Sequence, residues 1–187
     1  MQIKLDKEKH IYTVDGSPIP SVSDILAVYF PPSQFYTEDG RDNGKYRHEW
    51  YAELSQGYEL ENEPYSEILG AVNGFKKFMA EVKPEYISGE ISYHHPTLKF
   101  CGTPDVIFNI DSRLSVVDYK PKSKTKRTRA QTALYFSMLR ANKIPILDRY
   151  ELRCYDGIYR LEKHDDMQDV RRAEMMVAGY HAAQFFK

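Results

Sequence analysis

The segment Leu114-Ser115-Val116-Val117-Asp118-Tyr119-Lys120 constrains this chain more than any other. It has the composition of a β-strand, and in a strand residues two apart share a face. Leu114, Val116, Asp118 and Lys120 therefore line one side, which begins apolar and ends with a carboxylate beside an ammonium. Burying both ions for structure alone costs on the order of several kcal/mol each before pairing. A strand end that opens into a cleft costs less. The preceding β-type segment, Gly102-Thr103-Pro104-Asp105-Val106-Ile107-Phe108, carries Asp105 near its start. A tight turn at Asp111-Ser112 pairs the two segments antiparallel, so the start of the first lies beside the end of the second. Asp105 and Asp118 then converge.

Two converging carboxylates with a lysine suit a hard divalent cation, because oxygen ligands select Mg²⁺ or Mn²⁺. One or two such ions sharpen a water into a nucleophile and stabilise charge developing at phosphorus. Lys120 would orient or deprotonate that water, or neutralise transition-state charge. The plainer reading of the same residues is an Asp–Lys ion pair closing a strand.

The rest of the chain supplies a frame for these strands. Residues 2–14 read as an N-terminal β-hairpin around a polar turn. Ser21 is placed to cap a helix through Ile25, Leu26 and Tyr29, which Pro31-Pro32 stops. A second helix is expected from about Asn43 to Ser55, with Trp50 and Leu54 on its apolar side. A third follows Pro64, where Ile68, Val72, Phe75, Met79 and Val82 recur at steps of three and four. Strands are expected over Tyr86–Tyr93, Phe100–Ile110 and Leu114–Lys120, then a helix from about Thr128 to Asn142. Strands near Arg149–Tyr155 and Tyr159–Leu161 flank an Asp156-Gly157 turn. The last helix, Asp166 to about Gln184, sets Val170, Ala173, Val177 and Tyr180 on one face. This order predicts an α+β fold, with a central mixed sheet flanked by helices and residues 1–187 as a single domain.

Composition excludes several alternatives. With 187 residues, 42% hydrophobic and 28% charged, the chain has the profile of a globular protein rather than a disordered one. Its apolar runs fall short of the roughly 18 residues a membrane span needs, and no secretory signal is visible, so a cytoplasmic location is expected. Cys101 and Cys154 are the only cysteines, too few for a four-cysteine zinc site or iron–sulfur cluster. Net charge is −1, but its distribution is uneven. Residues 120–129, KPKSKTKRTR, carry six positive charges and no negative one, whereas residues 53–67 carry five glutamates and no lysine or arginine. A solvated surface accounts for the acidic run.

Asp105 after Pro104, followed thirteen residues later by Asp118-Tyr119-Lys120, resembles the active-site signature of the PD-(D/E)XK nuclease superfamily. Gln131-Thr132-Ala133-Leu134-Tyr135 resembles the Gln-x-x-x-Tyr helix of its RecB-like branch, and Gly44-Lys45-Tyr46-Arg47-His48 the Gly-x-x-x-His helix. Ile19 to Leu26 looks like the N-terminal segment of phage-encoded members, a phage exonuclease type; the host cytoplasm would then be the location. The resemblance spans about residues 11 to 140, with four motifs in the expected order.

It implies a restriction-endonuclease-like core and a Mg²⁺- or Mn²⁺-dependent deoxyribonuclease, a phosphodiester hydrolase of DNA recombination or repair. It further implies Asp105, Asp118 and Lys120 as catalytic residues, and His48, Asp105, Asp118 and the Tyr119 position as metal-binding. Gln131 and Tyr135 would position the strand. Glu90 fits the acidic residue on the strand before the Asp, with Glu81 or Glu85 as alternatives. Two departures stand out: the cysteines cannot supply the iron–sulfur cluster of one subgroup, and Pro121 replaces the threonine often found after the lysine, removing an N–H donor.

Physically, Gly44 and His48 share a helix face, and a glycine there would let backbone approach closely. Gln131 and Tyr135 are likewise four apart, so amide and phenol reach one spot. The basic run starts at Lys120, so Lys122, Lys124, Lys126, Arg127 and Arg129 can contact phosphates of duplex ends or a single strand, in a salt-dependent, sequence-independent way. Tyr93, His94, His95 and Phe100 are either stacking surfaces for an unpaired end or strand packing. No feature decides whether a homo-oligomer or a recombination partner protein is involved, and no membrane contact is expected. The competing readings are a non-catalytic nucleic-acid-binding accessory protein with the same fold, and a hydrolase of another phosphodiester such as RNA.

Overall fold

The computed structural model describes residues 2–6, 9–31, 38–59, 62–122 and 126–186, with 38–41 described only as backbone. The N-terminal strands β1 (Ile3–Asp6) and β2 (Ile11–Val14) form the expected antiparallel hairpin. A third strand, β3 (Ser17–Ile19), joins them across the Asp15-Gly16 turn and makes a three-stranded sheet. The expectation of a hairpin alone missed β3 because its central residue is Pro18, a poor strand former that an edge tolerates.

Helix α1 (Val22–Tyr29) starts where Ser21 predicts: the Ser21 hydroxyl accepts from the Asp24 N–H at 3.0 Å, and Asp24 returns the bond to the Ser21 N–H at 2.8 Å. Helix α2 (Glu38–Ser55) begins five residues before the predicted Asn43. Helix α3 (Ser66–Val82) buries Ile68, Val72 and Phe75 as the periodicity requires, and Phe78 in addition.

The predicted strand over Tyr86–Tyr93 divides into β4 (Glu85–Gly89) and β5 (Tyr93–His95), and that over Phe100–Ile110 into β6 (Phe100–Gly102) and β7 (Val106–Ile110). β5 and β6 pair with each other as a separate two-stranded ribbon. Pro104 lies at the second break, where a missing N–H cannot extend a ladder. β8 (Arg113–Lys120), α4 (Lys126–Ala141), β9 (Asp148–Tyr155), β10 (Ile158–Lys163) and α5 (Met167–Phe185) complete the chain.

The main sheet has the order β10-β9-β8-β7-β4. β8 and β9 run parallel and the other neighbours antiparallel, so the sheet is mixed. Alternation divides its side chains between two cores. Ile107 and Val116 face α1, α4 and α5, packing with Ile25, Leu26, Leu134, Met138 and Val177. Val106, Phe108, Val117, Tyr119, Leu152 and Cys154 face α2 and α3, packing with Tyr51, Val72, Phe75 and Phe78. Asp118 and Lys120 share parity with Val116 and so lie on the α4 side. Among the described residues, no helix is long and apolar enough to cross a membrane.

Candidate active site

The β7–β8 hairpin turns through Asp111 and Ser112, at φ of 50° and 61°. Consecutive left-handed residues are what a two-residue turn needs to match strand twist. The turn sets the register Val106↔Val117, and one further step brings Asp105 opposite Asp118. The expected convergence of the two carboxylates is therefore present in the backbone. Asp105 Oδ2 accepts the Tyr119 N–H at 2.6 Å, which holds the first carboxylate against the end of β8.

From the neighbouring strand, Glu90 arrives by the same logic. Gly89 pairs with Val106, so Glu90 follows opposite Asp105, and its N–H donates to the Asp105 carbonyl at 3.3 Å. A Cβ on Gly89 would lie 2.8 Å from that carbonyl oxygen, so glycine is what permits the approach. Glu90 itself has φ of 54°, a conformation rarely adopted by residues other than glycine. Glu81 and Glu85 are engaged elsewhere, with the Tyr159 hydroxyl and the Asn109 amide. From α2, His48 brings Nδ1 to 3.5 Å from Asp105 Oδ1. One ligand atom each from His48, Glu90 and Asp105 lies within 4.8 Å of the others.

Asp118 stands beside this trio but is fully buried, and its carboxylate is ion-paired with the Lys120 ammonium. Burial pushes the Asp118 carboxyl up to about 7, with the Asp105 charge adding to the rise and Lys120 opposing it. Burial acts the same way on Asp105, but the His48 and Lys120 charges and the Tyr119 N–H outweigh it and hold its carboxyl below the ordinary range. Desolvation works against the charged forms of His48 and Lys120, yet carboxylates raise both: chiefly Asp105 for His48, Asp118 for Lys120. Two neighbouring carboxyls are thus driven apart, Asp118 upward chiefly by burial and Asp105 downward by the charges of His48 and Lys120. Arg47, His48, Tyr51, Tyr119, Lys120 and Pro121 line a small opening next to these groups.

On α4, Gln131 Nε2 donates to the Tyr135 hydroxyl at 3.2 Å, and the buried Tyr135 phenol is raised well above its usual value by burial and by the Asp118 and Asp105 charges. Tyr135 is therefore near enough to feel both carboxylates, and Gln131 is bonded to it. Tyr119 contributes its backbone; its phenol points into the α2–α3 core, hydrogen-bonded to the Ser55 hydroxyl at 3.1 Å.

Several expected contributions differ. At Gly44 no close backbone approach is found: among the described residues, an added Cβ would meet only Arg47 Nη2, at 3.9 Å. His94, His95 and Phe100 are buried and Tyr93 packs against the α4 core, so these residues are strand packing rather than stacking surfaces. Of the basic run, Lys122 pairs with Asp156 at 2.6 Å and Arg129 with Asp169 at 2.9 Å. Lys126 and Arg127 open α4, and Lys124 lies outside the described residues.

No protein-family model matches the sequence, and no curated protein does. Among solved structures, an alkaline exonuclease (LHK-Exo) from Laribacter hongkongensis matches with a TM-score of 0.50 and 12% identity, over 88% of this chain and 87% of that one. This chain shares the exonuclease's fold. LHK-Exo in complex with dAMP matches with a TM-score of 0.41 and 15% identity, over 88% and 87%. The α+β architecture with a helix-flanked mixed sheet is common to the chain and the first of these structures.

Ligand atoms on opposite sides of a Mg²⁺ or Mn²⁺ ion lie about 4 Å apart, twice the metal–oxygen distance. The ligand atoms of His48, Glu90 and Asp105, within 4.8 Å of one another, need draw in by no more than about 1 Å to share one ion, and two carboxylates with an imidazole suit a divalent cation.

Proposed function

We propose that the chain is a divalent-metal-dependent nuclease of the PD-(D/E)XK superfamily, RecB-like and of the phage exonuclease type. It hydrolyses DNA phosphodiester bonds from an end, with little sequence specificity and the whole chain as its catalytic domain. The observation that carries this reading is the meeting of His48, Glu90 and Asp105 within 4.8 Å, beside a buried Asp118–Lys120 pair on the adjoining strand. The fold shared with an exonuclease supports it. His48, Glu90, Asp105 and Asp118 would hold the ion, and the imidazole in that set favours Mn²⁺ over Mg²⁺. A bound ion supplies an activated water and neutralises charge on the scissile phosphate.

The protein's own groups then have separate tasks. Asp105 stays ionised and, fixed by the Tyr119 N–H, gives the centre a rigid anionic wall. Lys120, anchored on Asp118, offers an ammonium N–H to the attacking water or to a phosphate oxygen. Gln131 and Tyr135 hold the strand through a phosphate beside the reacting one. Lys126 and Arg127, at the start of α4, add backbone contacts where helix N–H groups also favour an anion. Lys122, Lys124 and Arg129 extend this contact, Lys122 and Arg129 by exchanging an aspartate for a phosphate.

The test is Mn²⁺-dependent degradation of end-labelled linear DNA beside closed circular DNA. Loss of the linear substrate, sparing of the circle and inactivity of Asp118→Ala and Lys120→Ala are expected. Linear duplex and single-stranded DNA both left intact with Mn²⁺ would overturn the reading.

A further inference from the structure

Strand β9 carries a feature that the site above does not use. Its residues Leu152 and Cys154 face the α2–α3 core, so Arg149, Glu151 and Arg153 face α4, and all three are buried. The parallel register pairs Asp118 with Glu151 and Lys120 with Arg153. A second acidic side chain is therefore set beside Asp118 on the same face of the sheet, with no exposure to solvent.

Arg153, which the register sets beside Lys120, and His164 lie against the Glu151 carboxylate. Its Oε1 lies 3.0 Å from Arg153 Nε, and its Oε2 lies 3.8 Å from His164 Nε2. Arg153 Nη2 is in turn held by Glu162 on β10, at 2.7 Å. His164 Nδ1 meets the Thr132 hydroxyl of α4 at 3.0 Å. The negative charge of Glu151 reaches the Lys120 ammonium, which otherwise has Asp118 and Asp105 as its anionic neighbours. Replacing such a buried ionic cluster by apolar residues is often neutral or stabilising, so folding alone does not require it.

We propose that Glu151 is a positioning residue for Lys120. The inference rests on the nuclease reading above. Asp118 has two demands on its carboxylate, the lysine and the metal trio, and a lysine held chiefly by Asp118 would follow it. Glu151 supplies a further carboxylate on the adjoining strand, where burial disfavours its charged form and the Arg153 guanidinium opposes that, so the ammonium stays over the end of β8, where the scissile phosphate would lie. Glu151 itself touches neither substrate nor metal.

The test compares Glu151→Gln, Glu151→Asp and Glu162→Gln with wild type, measuring kcat and KM for Mn²⁺-dependent cleavage, and Mn²⁺ affinity by electron paramagnetic resonance. Glu151→Gln should lower kcat at least tenfold with KM and Mn²⁺ affinity unchanged. Glu151→Asp, which keeps the charge, should recover most of the rate, and Glu162→Gln, which removes a charge from the same arginine, should cleave like wild type. If Glu151→Gln does not fold, the double variant Glu151→Gln/Arg153→Gln removes the pair together and should show the same loss of kcat. Cleavage within twofold of wild type by Glu151→Gln, or by Glu151→Gln/Arg153→Gln where the single variant does not fold, overturns the inference while leaving the nuclease reading intact. Equal losses in Glu151→Gln and Glu162→Gln, or a weakened Mn²⁺ affinity, also overturn it. A wild-type protein that cleaves nothing removes the nuclease reading and this inference together.

Discussion

Lys120→Met isolates the cost of the buried pair at the centre of the site. Asp118 is fully buried and its main compensating charge is the Lys120 ammonium, whose side chain is 21% exposed. Removing one partner of a buried pair leaves an uncompensated charge and costs about 3–5 kcal/mol. For a chain of this length each kcal/mol moves Tm by roughly 2–4 °C, so the variant should melt about 6–20 °C below wild type. The deficit depends on pH. Burial raises the folded-state Asp118 carboxyl from 3.8 to about 7 even with the lysine present, and removing the lysine raises it further. Since the unfolded chain keeps the ordinary value, the charged form is penalised only when folded. The deficit is therefore full above the variant's raised carboxyl and shrinks as pH falls from there towards 7, below which both proteins hold Asp118 protonated. The double variant Asp118→Asn/Lys120→Met removes both charges with little change of shape and should return to within about 1 kcal/mol of wild type, or exceed it. Both variants should be inactive. Thermal melts in EDTA at pH 6 and 8 read these outcomes. A Lys120→Met protein that melts with wild type at pH 8, or a double variant no more stable than the single, would refute the reasoning.

Three further outcomes follow from particular contacts. His164 is buried and desolvation pushes its pKa from 6.5 down to about 4, so the unfolded chain takes up a proton first and stability falls as pH drops from 6.5 to 4. The loss is at most about 3 kcal/mol, and His164→Gln should flatten that part of a urea-denaturation pH profile; an unchanged slope would count against it. Gly74 packs α3 onto β10 so closely that a Cβ would sit 2.2 Å from the Ile158 carbonyl oxygen. Gly74→Ala should therefore cost at least about 2 kcal/mol in denaturant melts, and a change below about 0.5 kcal/mol would contradict the contact. His48→Ala should weaken Mn²⁺ binding at least ~10-fold by isothermal titration, with Tm in EDTA nearly unchanged; equal affinity would remove His48 from the ligand set.

The site was legible in the sequence to the extent that it is built from local rules. A two-residue turn at Asp111-Ser112 and strict alternation suffice to bring Asp105 opposite Asp118, and Ser21 with Asp24 marks the start of α1. Glu90 was harder to single out from Glu81 and Glu85, because a break between β4 and β5 places it beside Asp105 rather than continuing a strand. Gly89 was the available signal, since it lets the two backbones meet. The burial of Arg149, Glu151 and Arg153 was not legible. Charges alternating with Tyr150, Leu152 and Cys154 look like a strand with one wet face, and only the helices over both faces of the sheet make it a dry, paired layer. The pairing of Lys122 with Asp156 and of Arg129 with Asp169 was hidden for the same reason: partners 34 and 40 residues away leave no mark on a local charge run.

The most direct measurement is crystallographic: crystals soaked in Mn²⁺ and recorded at the manganese absorption edge. An anomalous peak bonded to His48 Nδ1 and to the Asp105 and Glu90 carboxylates, at about 2.0–2.3 Å and with the Lys120 ammonium nearby, is the predicted result. Full occupancy of Mn²⁺ elsewhere on the protein, with no peak between those three side chains, would contradict the account.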